Sequence, residues 1–237
     1  MSTPTLLGIS SLLMTKPLTQ ALRTDAQFQL EEDSRPNITQ QLRDQSLNAA
    51  IISPLDYAMD SSEYCIVPDV AVVSKQSDSS VVILFREGVK TIRTVAVDPA
   101  FASEIVLAKI ILAESYDIEP SIVPTNAPLD VMLRKADAAL LVGNHAFQVR
   151  NTTDRVIDII EEWCDMTGFP FVHAIWCGRD RDLTKEDIAQ IQNASYKGVA
   201  GIGDIALQYP QEERDSVQQY LESFSYELSE EALGGLS

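Results

Sequence analysis

Short apolar runs alternate with helix-like segments along almost the whole of this chain, and that alternation limits the folds open to it. TLLGIS (5–10) reads as a strand and PLTQALRT (17–24) as a helix. AQFQLEED alternates like a strand, and PNITQQLRDQS is a helix capped by Ser34 or entered at Pro36. LNAAIIS is a short buried strand, followed by a helical turn in PLDYAMD. Two extended runs, YCIVPDVAVVSK and SVVILFRE, precede the strand TIRTVAVDP. The longest helix, AFASEIVLAKIILAESYD, is apolar at Ile105, Leu107, Ala108, Ile111 and Leu112, near helical spacing. PSIVPTNA is a strand, PLDVMLRK a helix and ADAALLVG a strand. VIDIIEEWCDMTG leads through a helix into the apolar strand FPFVHAIWCGRD, and from Leu183 onward the chain reads as helices. Such alternation predicts an α/β protein with buried parallel strands. The 237 residues suit one large domain or two small lobes, with length enough for a sizeable core. No low-complexity linker divides them, so two lobes would be interleaved rather than strung in series.

Charge excludes some partners. A formal net charge of −17 argues against nucleic acid and anionic membrane surfaces, both of which need a basic patch. From Pro210 onward there are seven acidic residues and one basic, Arg214, which reads as a solvated helical face. Cys65, Cys164 and Cys177 are odd in number and lack C-x-x-C spacing, so reduced thiols are expected. The N-terminus has no basic region followed by an apolar run, and no stretch approaches a membrane span. A cytoplasmic location is expected.

Function concentrates where strands hand over to helices. SSLLMTKPLTQAL (10–22) is such a handover, entered through Pro17, but it offers Met14 where a binding loop would offer a polar group. LNAAIISPLDYA (47–58) echoes KADAALLVGNHAF (135–147): helix end, small pair, four-residue aliphatic strand, turn, short helix. The echo suggests two similar lobes with ligands at the strand C-termini. His145 follows Asn144 at a strand end and is a catalytic candidate. His173, inside the apolar run 169–176, reads as a core residue, as do Cys164, Cys177 and both tryptophans. The two histidines are not at ligand spacing, so no metal site is expected. GVAGIGDIA near Gly198 reads as a helix–loop segment, not a phosphate loop.

LMTKPL, YCIVPDVAVVS, RTVAVDPAFASEIVLAKIIL, PLDVMLRKADAALLVGNHA and EEWCDMTGFPFVHAIWCGR together resemble the menaquinone-biosynthesis family that contains chorismate dehydratase. The resemblance covers almost the whole chain in order, and ADAALLVG and EW…TGFPFVHAIW are its most specific pieces. It implies an α/β, two-lobed periplasmic-binding-protein-like (type II) fold with a cleft between the lobes. One lobe would be 1–86 with 174–237 and the other 87–173, with crossing strands near SVVILF and FPFVHAIW. It also implies a hydro-lyase that converts chorismate to 3-[(1-carboxyvinyl)oxy]benzoate on the futalosine route, without cofactor. The partner would be a small carboxylic acid in the inter-lobe cleft.

The sequence departs from the family pattern at that site. Met14 stands at the position of an Asn implicated in catalysis, with Thr15 the polar neighbour. Pro54 replaces a Ser, with Ser53 adjacent; another family Ser falls on Val81 or, shifted by one, Ser80. The anion-binding turn SSRTS falls on Ala100-Phe101-Ala102-Ser103-Glu104, losing its Arg and three hydroxyls and gaining a carboxylate. Gly143-Asn144 stands for Gly-Asp. The resemblance thus nominates Thr15, Asn144 and His145 as catalytic, and Ser11, Met14, Ser53, Ser80, Ala100, Phe101 and Ser103 as ligand-binding. Lys16, Arg86 and Arg150 are the cations near these segments. Three functions stay open: the lyase, a non-catalytic small-molecule-binding paralogue with a less polar cleft, and a related enzyme on a different small carboxylic acid.

Overall fold

The computed structural model describes residues 4–149 and 155–236. In chain order the elements are β1 (Thr5–Ile9), α1 (Lys16–Thr19), β2 (Phe28–Glu32), α2 (Arg35–Arg43), β3 (Ala49–Ile52), α3 (Pro54–Met59) and β4 (Cys65–Ser74). Next come β5 (Val81–Phe85), β6 (Thr94–Val97), α4 (Ala102–Tyr116), β7 (Ser121–Pro124), α5 (Leu129–Lys135), β8 (Ala138–Val142) and α6 (Asn144–Val149). The chain continues through β9 (Val156–Asp158), α7 (Ile159–Thr167), β10 (Phe171–Gly178), α8 (Lys185–Ala200), α9 (Ile202–Ala206), α10 (Arg214–Glu222) and α11 (Glu230–Gly234).

These elements form two compact units, Met1–Ser74 with Val172–Ser237, and Lys75–Phe171. The first boundary therefore lies at Ser74 rather than 86. The reason is pairing: β5 bonds antiparallel to β8 and β9 inside the second unit.

Each unit holds one five-stranded sheet, ordered β2-β1-β3-β10-β4 and β7-β6-β8-β5-β9. The first three strands of each order run parallel. The fourth, β10 or β5, runs antiparallel to its neighbour. The sheets are thus mixed: the parallel strands that the alternation predicted are joined by a fourth that enters directly from the other unit, without a crossover helix to reverse it. The echoed segments occupy matching places: β3 and β8 are both third in order, and each leads into a short helix.

The second unit shows why its strands read as continuous apolar runs. Val81, Ile83, Val95, Val97, Leu140 and Val142 share one core with Leu107 and Ile111 of α4 and Ile160 of α7. Their alternates Val82, Leu84, Ala96, Ala139 and Leu141 face another core with Met132 of α5 and Ala146 of α6. A sheet covered on both faces needs apolar side chains at every position. In the first unit, Ile38 and Leu42 of α2 pack on Ala50, Ile52, Ile175 and Cys177.

Two local readings change. PLTQALRT is one short α-helix flanked by 3₁₀ turns at Leu13–Thr15 and Gln20–Thr24. VID before the seventh helix is an edge strand, and Asp158 caps that helix by accepting from Ile160 and Glu161 N–H. Gly198, in the glycine-rich stretch, lies inside α8 against α1: a Cβ there would stand 1.9 Å from the Pro17 carbonyl oxygen. Close helix approach, not a ligand, accounts for that glycine.

Candidate functional site

Parallel neighbours β1 and β3 end side by side, so the loops after them share one sheet edge. Met14 is 2% exposed there and fills space under the loop. Thr15 is also buried, and its hydroxyl donates to the Leu12 carbonyl at 2.8 Å. Lys16 does not stand open to a ligand: its Nζ donates to the Tyr209 hydroxyl at 2.6 Å. Ser53 caps α3, accepting from Asp56 N–H at 3.1 Å and donating to Asp56 Oδ2 at 2.6 Å. Its hydroxyl is committed to holding the helix start. Ser11 lies exposed on the same loop.

In the second unit β6 and β8 are the parallel neighbours. After β6, Asp98 Oδ1 accepts from Ala100 N–H at 2.9 Å, so one of the amides an anion would need is already occupied by a carboxylate. Phe101, half-buried, ends the 3₁₀ turn; Ser103 lies in the first turn of α4 and Glu104 is buried beside it. After β8, Gly143 takes a positive φ of 58° and donates to the Ser80 carbonyl at 2.7 Å. This bond places Ser80 next to Asn144 and His145. The Ser80 hydroxyl is fully buried and has no hydrogen-bond partner among the described residues.

A small cavity lies at this edge, with about 30 Å³ open to the centres of water-sized molecules. Asp98, Phe101, Thr125, Asn126, Met132 and His145 contribute to its wall. It has room for roughly two waters or the polar end group of a ligand. It unites two residues nominated from sequence, Phe101 and His145. Asp98, Thr125 and Asn126 escaped nomination; the signal for them was position, since they follow the ends of adjacent parallel strands β6 and β7.

Other candidates lie elsewhere. Arg86 sits at the opposite strand ends, paired with Asp137 at 2.9 Å, and Arg150 lies outside the described residues. His173 is buried, with Nε2 2.8 Å from the Ser74 hydroxyl and its ring edge-on to Phe224. Burial pushes the Cys164 and Cys177 thiols up, away from thiolate chemistry. Among the described residues no group of three or more His, Cys, Asp or Glu could hold a metal ion, and no helix is long and apolar enough to cross a membrane.

Two units of matching strand order, with the chain passing twice from one to the other, define the class of periplasmic-binding-protein-like folds. Solved structures agree. A protein from Archaeoglobus fulgidus superposes with a TM-score of 0.72 at 15% identity, covering 98% of this chain and 93% of its own. A Candida albicans protein, described as defining a new family with the generic periplasmic-binding-protein fold, gives 0.66 at 12% identity, covering 95% and 82%. The periplasmic aliphatic sulphonate-binding protein of Escherichia coli gives 0.61 at 12% identity, covering 96% and 85%. Within that class the chain belongs to the menaquinone-biosynthesis family, whose model matches residues 5–237.

Proposed function

We propose that this protein is a small-molecule-binding member of the menaquinone-biosynthesis family whose ligand carries little negative charge. One observation carries the reading. The segments that follow the strand ends, 10–16, 53–56, 98–103, 125–127 and 143–149, contain a single cation, Lys16, and it is engaged by Tyr209. A dicarboxylate needs guanidinium, hydroxyl or free amide donors, each charge-assisted bond contributing about 1.5–3 kcal/mol. Here the turn that would supply them presents the Asp98 carboxylate and the Phe101 ring. A ligand carboxylate about 4 Å from Asp98 would be opposed by roughly 1–4 kcal/mol. In the first unit, the Thr15 and Ser53 hydroxyls are engaged within their own loops. What remains suits an uncharged polar group: Thr125, Asn126 and His145 as hydrogen-bonding partners, with Phe101 and Met132 as an apolar wall.

The match to the family along residues 5–237 favours a second reading, dehydration of chorismate. A probe pair of equal shape separates the two. Benzamide is expected to perturb the protein's NMR spectrum around His145 at least as strongly as benzoate does. Benzoate binding tenfold tighter than benzamide would overturn the proposal.

A further inference from the structure

The strand ends opposite the candidate site carry a different surface. There the β5–β6 loop, 86–93, meets Asp137 at the start of β8 and forms an open concavity. It is shallow and open to solvent, with a volume of about 340 Å³. Arg86, Lys90, Thr91 and Arg93 line it, with Glu87 and Asp137 the two carboxylates.

Asp137 does not cancel the cations. Its Oδ1 accepts from Arg86 Nη2 at 2.9 Å. Its Oδ2 accepts from Arg93 N–H at 3.0 Å, Thr94 N–H at 3.2 Å and the Thr94 hydroxyl at 3.1 Å. The carboxylate is held by its donors at the base of the loop, and one cation, Arg86, is matched to it. Lys90 and Arg93 are left exposed, with neither side chain hydrogen-bonded or ion-paired among the described residues. Gly88 holds the turn with φ of 77°, and a Cβ there would meet nothing within 4 Å, so the loop top is open. In a chain of net charge −17, two cations left over from the Arg86–Asp137 pair, against Glu87 alone, stand out from the background.

We infer that this concavity binds a compact, multiply charged anion of phosphate type, held by Lys90 and Arg93 with the Thr91 hydroxyl as a further donor. Compactness follows from the charge distribution. The loop attracts over about one Debye length, some 8–10 Å, while the acidic remainder of the chain repels a long polyanion. Nucleic acid, which needs many phosphate contacts, is therefore the wrong size. The site is separate from the Asp98–His145 edge and does not depend on the ligand proposed there.

The test is a calorimetric titration of the full chain with inorganic pyrophosphate at low salt. Sodium chloride at matched ionic strength and a single-stranded oligonucleotide are the comparison titrants. Saturable pyrophosphate binding is expected, weakened about tenfold or more when Lys90→Gln and Arg93→Gln are combined. Lys109→Gln, a cation exposed on α4, should leave it unchanged. Both loop side chains are exposed and unpaired, so the double variant is expected to melt like the parent. Binding no different from chloride, binding unchanged in the double variant, or tighter binding of the oligonucleotide would each overturn the inference.

Discussion

Replacing Gly198 with Ala tests how the first unit builds its ligand-side loop. On an isolated helix this substitution stabilises by up to about 1 kcal/mol, because Ala is the better helix former. Here the new Cβ would stand 1.9 Å from the Pro17 carbonyl oxygen, 2.8 Å from its carbon and 3.2 Å from Pro17 Cα. Ordinary contact begins at 3.4 Å, so α8 and the Lys16–Thr19 helix must separate by about 1.5 Å (3.4 − 1.9). The obstacle is backbone, which cannot swing aside as a side chain would. Overpacking of this kind costs about 1–3 kcal/mol, and a rigid clash lies at the upper end. The net expectation is a loss of about 2 kcal/mol, or roughly 4–8 °C in melting temperature at this chain length. Gly203→Ala is the internal control, since α9 leaves nothing within 4 Å of the added carbon. It should raise stability by about 0.5–1 kcal/mol. Thermal melts of both variants under one buffer decide the matter. Equal stability of the two would refute the close-approach account of Gly198.

Other outcomes follow from the same geometry. Ala102→Arg, placing a guanidinium at the first residue of α4, should strengthen benzoate binding about tenfold, read by titration; an unchanged affinity would show that this helix start does not meet the ligand. Met14→Asn should destabilise by about 2–4 kcal/mol in denaturant unfolding, because it puts an amide where Met14 is 2% exposed. The Arg93 N–H above all, with the Thr94 hydroxyl and N–H and the nearby Arg86 charge, outweighs desolvation and holds the Asp137 carboxyl below the usual carboxylate range. A lowered folded-state pKa means stability that is full above the ordinary aspartate range near pH 4 and lost as pH falls below it. Asp137→Asn should therefore lower stability at neutral pH and flatten its decline below about pH 4, checked by melts across pH.

Much of the architecture was legible because both faces of each sheet are covered. AAII and AALLV are short, wholly apolar and followed by a turn and helix, and they occupy the same third place in their sheets. Strand direction was not legible, because nothing in SVVILF or FPFVHAIW records that each strand pairs antiparallel. The edge strand Val156–Asp158 was hidden by its three-residue length, too short to show a period of two. At the site, Phe101 stands in the cavity wall, whereas Met14, equally apolar in the sequence, is buried beneath its own loop. That Lys16 is engaged could not be read locally, since its partner Tyr209 is 193 positions away. Ser53 looked available for a ligand, yet its place directly before Pro54 and three residues before Asp56 makes it a helix cap.

The central claim is that the strand-end loops no longer serve a dicarboxylate. Incubating the full chain with chorismate and following the mixture by mass tests it most directly. The account predicts that chorismate persists at the rate of a protein-free control and leaves the melting temperature unchanged. Protein-dependent formation of 3-[(1-carboxyvinyl)oxy]benzoate would contradict it, and would mean that other groups of this chain hold the two carboxylates.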